Sequence, residues 1–230
     1  MNTFTYNGTV SSTYGIFIEH RPVVAFPKRV IESIAVPGRS GNLLFDTGAY
    51  DNVTLTYQVA YKGNVRQVGV DIATWLYQHD YLTLTDTYDP SYFRKAVYVS
   101  PLNITDIINV AGRAAITFDC KPQRYLLSGL TAITPSSGDD ISNLYQPALP
   151  TISLTGNGVL TVGSRTVTIS GNTGTLVLDS ERQTAEVAGN NANSLITLSD
   201  GFPVLDNGDT TVSWTGTIAN VSIVPNWWTL

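Results

Sequence analysis

Acidic side chains in the C-terminal part of the chain are the first candidates for chemistry. Asp179, Glu181 and Glu186 lie near the ends of predicted strands. A glycosidase built on a β-sandwich uses two such carboxylates, one of them as a general acid. The run Asp-Ser-Glu-Arg that begins at Asp179 also falls where a hairpin should turn, and turns favour such residues. We favour the turn and keep a glycosidase as an alternative, whose activity would disappear in Asp179→Ala or Glu181→Ala variants.

Nucleophiles and metal ligands give weaker patterns. The run Gly38-Arg39-Ser40-Gly41 approaches a nucleophile elbow, but Asn42 stands where that motif requires its last glycine. Cys120 could pair with His20 or His79, yet nothing in the sequence brings them together. Two distant histidines and one cysteine are a poor metal-ligand set, and there is no glycine-rich phosphate loop. The sequence therefore predicts no catalytic, metal-binding or cofactor-binding residues and no enzyme.

Trp227 and Trp228 are consecutive in what the pattern predicts to be a final strand. Consecutive strand residues face opposite sides, so only one of the two can enter the core. The other either packs on its own linker or the N-terminal domain, contacts a partner protein, or stacks on a sugar. Both are kept as candidate partner-docking residues.

The elements around these residues are organised by a long hairpin, predicted over residues 29–59 and called the arm below. Its predicted strands are 29–36 and 53–59, with turn-permitting residues between them. Strands of about eight residues reach roughly 25 Å, beyond the about 14 Å radius of gyration of a domain this size. The arm is therefore predicted to contact a second copy. The candidate subunit-interface residues are Ile31, Ile34, Val36, Pro37, Gly38, Arg39, Gly41, Leu43, Leu44 and Tyr50.

Two interpretations of Arg39, which lies at the arm's turn, remain open. It is either a solvated turn residue or a bidentate contact to a carboxylate of the next subunit, for which the guanidinium fork is well suited.

One amphipathic helix is predicted over residues 65–78, with Asn64 as its N-cap. Its apolar stripe, which includes Ile72, should pack on a sheet. A second, narrower stripe contains Val70 and Tyr77. This stripe is either ordinary surface or a contact with a neighbouring subunit, so both residues are candidates for partner docking.

Composition indicates a β-rich chain. Of 230 residues, 43% are hydrophobic and only 13% are charged, with a net charge of −5. The single cysteine argues against a disulfide scaffold, and the absence of a basic stripe argues against a nucleic-acid binder. The N-terminus MNTFTYNG predicts no signal peptide, and no apolar run predicts a membrane span. We therefore expect synthesis in a cytoplasm and no membrane partner.

The domain prediction has three parts. Residues 1–130 should form a β-sandwich with the helix and the arm, residues 131–149 a proline- and glycine-rich linker, and residues 150–230 an antiparallel sandwich of short strands. Within the last part, Gly156-Asn157-Gly158 and Asp206-Asn207-Gly208 predict hairpin turns.

The arm sequence VPGRSGNLLFDTGAYDNV resembles the signature of the distal tail (Dit) proteins of long-tailed siphophages. Further landmarks follow in the order expected for that family: Tyr14-Gly15-Ile16, Trp75-Leu76, Tyr92-Phe93-Arg94-Lys95-Ala96, residues 118–125, Trp214-Thr215-Gly216 and Pro225-Asn226-Trp227-Trp228.

The resemblance implies a non-enzymatic hub that forms a homohexameric ring and has a galectin-like C-terminal sandwich. Its expected partners are the tail tube protein, tail tip proteins and receptor-binding or baseplate proteins, with DNA only passing through the lumen. The expected location is the virion tail tip, after assembly in the host cytoplasm. A carbohydrate-binding module of a cell-wall-targeting protein is the alternative, although the sugar-binding residues of galectins are not found: Trp214 is followed by Thr215-Gly216.

Overall fold

The structure, a computed structural model, describes residues 1–63, 65–101, 104–106 and 111–230, with only the backbone described for 65–68 and 104–106. The chain is mainly β, as predicted, and it divides into two compact units. One comprises residues 1–124 with Leu230, and the other comprises residues 125–229. No helix in the described ranges is long and apolar enough to cross a bilayer.

In its described residues, the first unit contains ten strands and one α-helix. They are β1 Phe4–Tyr6, β2 Thr9–Val10, β3 Ile16–Ile18, β4 Arg29–Ile34, β5 Leu43–Tyr50, β6 Val53–Lys62, α1 Val65–Leu76, β7 Leu82–Asp86, β8 Tyr92–Tyr98, β9 Ile104–Asp106 and β10 Ala111–Leu126.

One antiparallel sheet, in the order β2-β1-β7-β8-β10-β6-β3, makes the body of this unit. Its centre is the β6–β10 pair, which runs in unbroken register from Lys62–Ala111 to Val53–Cys120. The Ile18 amide donates to the Asn2 carbonyl at 2.9 Å, which links the two ends of the sheet. The sheet therefore curls around its own core.

Helix α1 closes the core through the apolar stripe that the sequence predicts. Ile72 and Leu76 are fully buried, and the Trp75 indole N–H donates to the Tyr6 carbonyl at 2.9 Å. The Trp75 ring also stacks on Phe4, with centroids 5.6 Å apart. The helix ends at Leu76 rather than Gln78, within the usual fraying of a last turn. The predicted N-cap Asn64 lies outside the described residues.

The arm differs from its predicted boundaries. The structure pairs β4 with β5 in a separate two-stranded sheet, whereas residues 53–62 form the central strand β6. The alternation in Val53, Leu55, Tyr57 and Val59 reflects burial of one face in the core, since all four side chains are buried. The arm of the structure is therefore residues 29–50, and the name is used in this sense below.

The second unit is a sandwich of two five-stranded antiparallel sheets, β11-β19-β13-β14-β18 and β17-β16-β15-β12-β20. The bounds are β11 Asp139–Asn143, β12 Thr151–Thr155, β13 Gly158–Val162, β14 Arg165–Ile169, β15 Thr175–Asp179, β16 Thr184–Val187, β17 Asn190–Asn191, β18 Ile196–Leu198, β19 Gly208–Trp214, β20 Ala219–Val224 and β21 Trp228–Thr229. Alternate residues of β12, β13 and β15 are buried between the sheets.

Residues 131–149, where the sequence predicts a linker, contribute to this sandwich. Strand β11 pairs with β19 over five residues, and Ile133 bridges to Ile223. Proline and glycine therefore mark short connections here rather than a spacer. The assignment of residues 1–130 as a ring-forming domain stays a prediction.

Neither of two predicted hairpin turns pairs the strands beside it, and the first is a corner between the two sheets, whereas β18 and β19, beside the second, belong to one sheet. Residues 156–158 join β12 to β13, and residues 206–208 precede β19, in each case without pairing the strands on either side. At the first corner the Asn157 side chain binds the Asn172 backbone, accepting from its amide at 2.7 Å and donating to its carbonyl at 2.9 Å. A glycine–asparagine pair fits any turn with positive φ, so composition alone does not separate a hairpin from a corner.

Candidate assembly surface: the arm

The arm is an antiparallel ribbon that exposes apolar side chains on both faces. The register pairs Glu32 with Phe45 and Ile34 with Leu43, and on the opposite face Ile31 with Asp46 and Ser33 with Leu44. The exposed fractions of its large apolar residues are 46% for Ile31, 47% for Ile34, 39% for Val36, 47% for Leu43, 67% for Leu44 and 57% for Phe45. A two-stranded hairpin is marginally stable alone, and an exposed apolar surface of this kind makes the arm a candidate interaction site.

Polar contacts hold the ribbon in register. The Asn42 amide donates to the Ser33 hydroxyl at 2.8 Å, the Thr47 hydroxyl donates to the Val30 carbonyl at 3.0 Å, and Arg29 forms an ion pair with Asp46. The Arg29 side chain is half exposed, so this ion pair contributes little to stability. The ribbon is ordered locally, but a hydrophobic core does not support it.

The arm reverses direction in a tight turn that its sequence dictates. The Arg39 amide donates to the Val36 carbonyl at 3.2 Å, which places Pro37 and Gly38 at the two central positions. Proline favours the first of these, and Gly38 supplies the positive φ, 80°, that a type II turn requires at the second. Arg39 is exposed at this tip, as is required both for a solvated turn residue and for a contact to the next subunit.

The base of the arm is closed by backbone and side-chain contacts. The Asp51 amide donates to the Lys28 carbonyl at 2.8 Å, so the two ends of the arm are neighbours. Next to this closure, the Asn52 amide donates to the Asp119 carboxylate and to the Tyr81 hydroxyl, both at 2.6 Å. The arm is thus anchored to the sheet at one end and projects from it.

The remaining candidate docking residues are dispersed. Val70 is 73% exposed and Tyr77 is 52% exposed, with the Tyr77 ring edge-on to Tyr98 at 5.2 Å. Trp227 is buried in the second unit. Trp228 is partly buried, and its indole N–H donates to the Pro147 carbonyl at 2.9 Å. Burial removes Trp227 from the set of surface docking residues, and Trp228 packs on its own unit.

The residues considered for catalysis have structural explanations. The Asp179 carboxylate accepts from the Arg182 amide at 2.9 Å in the β15–β16 turn. Cys120 is buried, and burial raises the pKa of its thiol to about 12, so the thiolate nucleophile is not formed near neutral pH. Within the described ranges, no three histidine, cysteine or acidic side chains cluster as a metal site.

Sequence reasoning missed Phe45 of the arm. It directly follows Leu43 and Leu44, so a run of three apolar residues was its only signal. The cross-strand pairing with Glu32 shows the face to which it belongs.

Comparison with solved structures gives the fold a precedent. The Dit protein of phage SPP1, described as a paradigm of the hub adsorption apparatus in phages that infect Gram-positive bacteria, superposes with a TM-score of 0.73 at 14% identity, over 97% of this chain and 98% of that one. A chain of the phage p2 baseplate, in its activated conformation with Sr, gives 0.56 at 8% identity over 97% of each chain.

No family model matches the sequence, and no curated protein does. At these identities the comparison shows a shared fold, and at that level the predicted resemblance to distal tail proteins is confirmed.

Proposed function

We propose that this chain is a structural protein of a phage tail hub, which closes into a homohexameric ring through its arm. The single observation that carries the proposal is the ribbon of residues 29–50, which exposes apolar residues on both faces. The shared fold with the SPP1 Dit protein and a p2 baseplate chain supports the same assignment.

In this proposal the ring joins the tail tube protein to the tip, baseplate and receptor-binding proteins in the virion, after assembly in the host cytoplasm. DNA passes through the lumen without specific contact, and the protein is not an enzyme. Head-to-tail contacts close a ring when each copy offers two different surfaces. The arm is one of these surfaces, and it extends the area of each contact toward the roughly 1,600 Å² typical of stable interfaces.

The mass of the purified full-length chain tests the proposal. We expect sedimentation velocity to show a hexamer and negative-stain images to show six-fold rings, either alone or after a tail tube or tip protein is added. Only monomers across micromolar concentrations, with or without those proteins, would contradict it.

The carbohydrate-binding alternative gains no support from the second unit. Trp227 is buried there, and Trp228 is partly buried with its indole N–H bonded to the Pro147 carbonyl. A glycan-binding screen of the full-length chain would still reveal such a ligand.

A further inference from the structure

A cavity of about 240 Å³ opens in the first unit, beneath the irregular segment of residues 21–25. Its floor is formed by residues of β6, β7, β8 and β10. A water molecule needs only about 10–15 Å³ by the same measure, so the cavity has room for a side chain. Val23 and Val24, which line it, are 82% and 58% exposed. The mouth of the cavity is therefore apolar.

The two acids of the cavity are already engaged. One Asp86 oxygen accepts from the Tyr57 hydroxyl at 2.7 Å. The other accepts from the amides of Tyr88 and Asp89 at 2.8 and 3.0 Å. The Asp89 carboxylate forms an ion pair with Arg124 at 2.7 Å. Both Asp86 oxygens therefore already accept hydrogen bonds, and Asp89 is paired with Arg124.

Positive charge in the cavity is only partly balanced, because three arginines line it with these two aspartates. Arg124 lies over the Tyr92 ring at 4.2 Å and Arg21 over the Tyr88 ring at 5.9 Å. Arg94 is different: its Nη1 is buried and has no hydrogen-bond partner. A guanidinium remains charged when buried, and a buried donor without an acceptor is unfavourable. The Nη1 group of Arg94 therefore lacks a hydrogen-bond acceptor in this cavity.

One face of the arm carries a carboxylate, the group that a guanidinium such as that of Arg94 binds. Glu32 lies on the face that also carries Ile34, Leu43 and Phe45, all three of them about half exposed. The other acid of the arm, Asp46, is paired with Arg29, whereas no ion pair or hydrogen bond engages the Glu32 side chain within the described part of the chain. An apolar face with one carboxylate complements a cavity that has an apolar mouth and, in its floor, the unpartnered Nη1 of Arg94.

We propose that this cavity receives the arm of a second copy, with the Glu32 carboxylate on the Arg94 guanidinium and the apolar residues of that face on Val23 and Val24. The inference rests on the proposed ring and names the surface that accepts the arm. A carboxylate matches the fork of a guanidinium in a bidentate pair, which would fix the register between copies. Each copy then carries both halves of a head-to-tail contact.

A double-mutant cycle tests the pair. Glu32→Gln and Arg94→Gln should each weaken association about tenfold or more, as expected for a buried charged pair. The double variant should be no weaker than the weaker single variant, because both changes remove the same contact. Asp200→Asn, an exposed acid of the second unit, is the matched control and should associate like the wild type. Additive losses, or no loss, would overturn the inference.

A cross-link keeps the test decisive if Arg94→Gln does not fold. Chains with Ile34→Cys are mixed with chains with Val23→Cys and oxidised, and Cys120 does not compete because it is buried. A disulfide between the two kinds of chain, absent when the partner carries Asp200→Cys instead, supports the site. Its absence overturns it.

The two proposals fail in different ways. If the wild type forms no ring under any condition, both proposals are wrong. If rings persist unchanged in Glu32→Gln and no cross-link forms, only the proposed Arg94 site is wrong.

Discussion

Excision of the arm is the sharpest test of the assembly mechanism. Because the Asp51 amide binds the Lys28 carbonyl, residues 29–50 can be replaced by two glycines without moving the ends of the flanking chain. Burying a large apolar side chain contributes about 1.5–3 kcal/mol, and the six apolar residues of the arm are on average about half exposed. Covering them in an interface is therefore worth about 6 kcal/mol, or roughly 10⁴ in the dissociation constant.

Folding of the armless chain should be nearly unaffected, because nearly all arm residues are exposed and the core lies in the curled sheet. We expect its thermal midpoint to stay within a few degrees of the wild type, a change of less than about 1 kcal/mol. Analytical ultracentrifugation should find monomers where the full chain forms rings. Leu144→Ser in the second unit, where Leu144 is 82% exposed, is the control for simple loss of surface hydrophobicity and should assemble normally.

Two results would refute this reasoning. Rings of unchanged stability from the armless chain would show that the compact faces alone supply the contact. An armless chain that fails to fold would show that the arm supports its own unit rather than a neighbour.

Three further predictions concern the two units. Trp75→Ala should destabilise the first unit by about 3–5 kcal/mol, because it removes a buried ring and its bond to Tyr6; denaturant unfolding measures this, with exposed Thr74→Ala as the control. Gly156→Ala should destabilise the second unit by more than 1 kcal/mol, since φ is 87° and the added carbon would lie 2.0 Å from the Thr217 carbonyl oxygen; Gly189→Ala, at similar φ but in open space, separates strain from clash. Burial raises the pKa of Tyr57 well above its ordinary value, so the contribution of Tyr57 to the stability of the first unit should be fully present below about pH 10 and lost as the pH rises above it; a Tyr57→Phe variant, followed by circular dichroism, should show a weaker fall at alkaline pH.

Alternation along β6 made the core of the first unit predictable. Its buried residues Leu55, Tyr57 and Val59 follow the two-residue period, and Ile72 and Leu76 follow the helical one. These periods arise because one face of the strand or helix is buried and the other is exposed to solvent. The fold class and the strand-to-helix order could therefore be predicted, whereas the pairing of β6 with β10 depends on residues about sixty positions apart.

Clusters of side chains from strands that are distant in the sequence could not be predicted from the sequence. Arg94, Asp86 and Arg124 meet in one cavity, yet each comes from a different strand. Their sequence neighbourhoods show ordinary turns and strand ends. The unpartnered Nη1 of Arg94 depends on which acids its neighbours have already engaged, a property of the packed state alone.

Strand β5 was not predicted, for the same reason that supports the proposed role of the arm in assembly. A strand with one buried face alternates, but Leu43, Leu44 and Phe45 are consecutive and all exposed, so β5 has no alternation to detect. Apolar residues on both faces of a ribbon cannot all be covered by the body to which the ribbon is attached. They gain their burial energy only when another surface encloses the ribbon. Missing alternation in a paired strand is therefore itself an argument that the strand is completed by a second molecule.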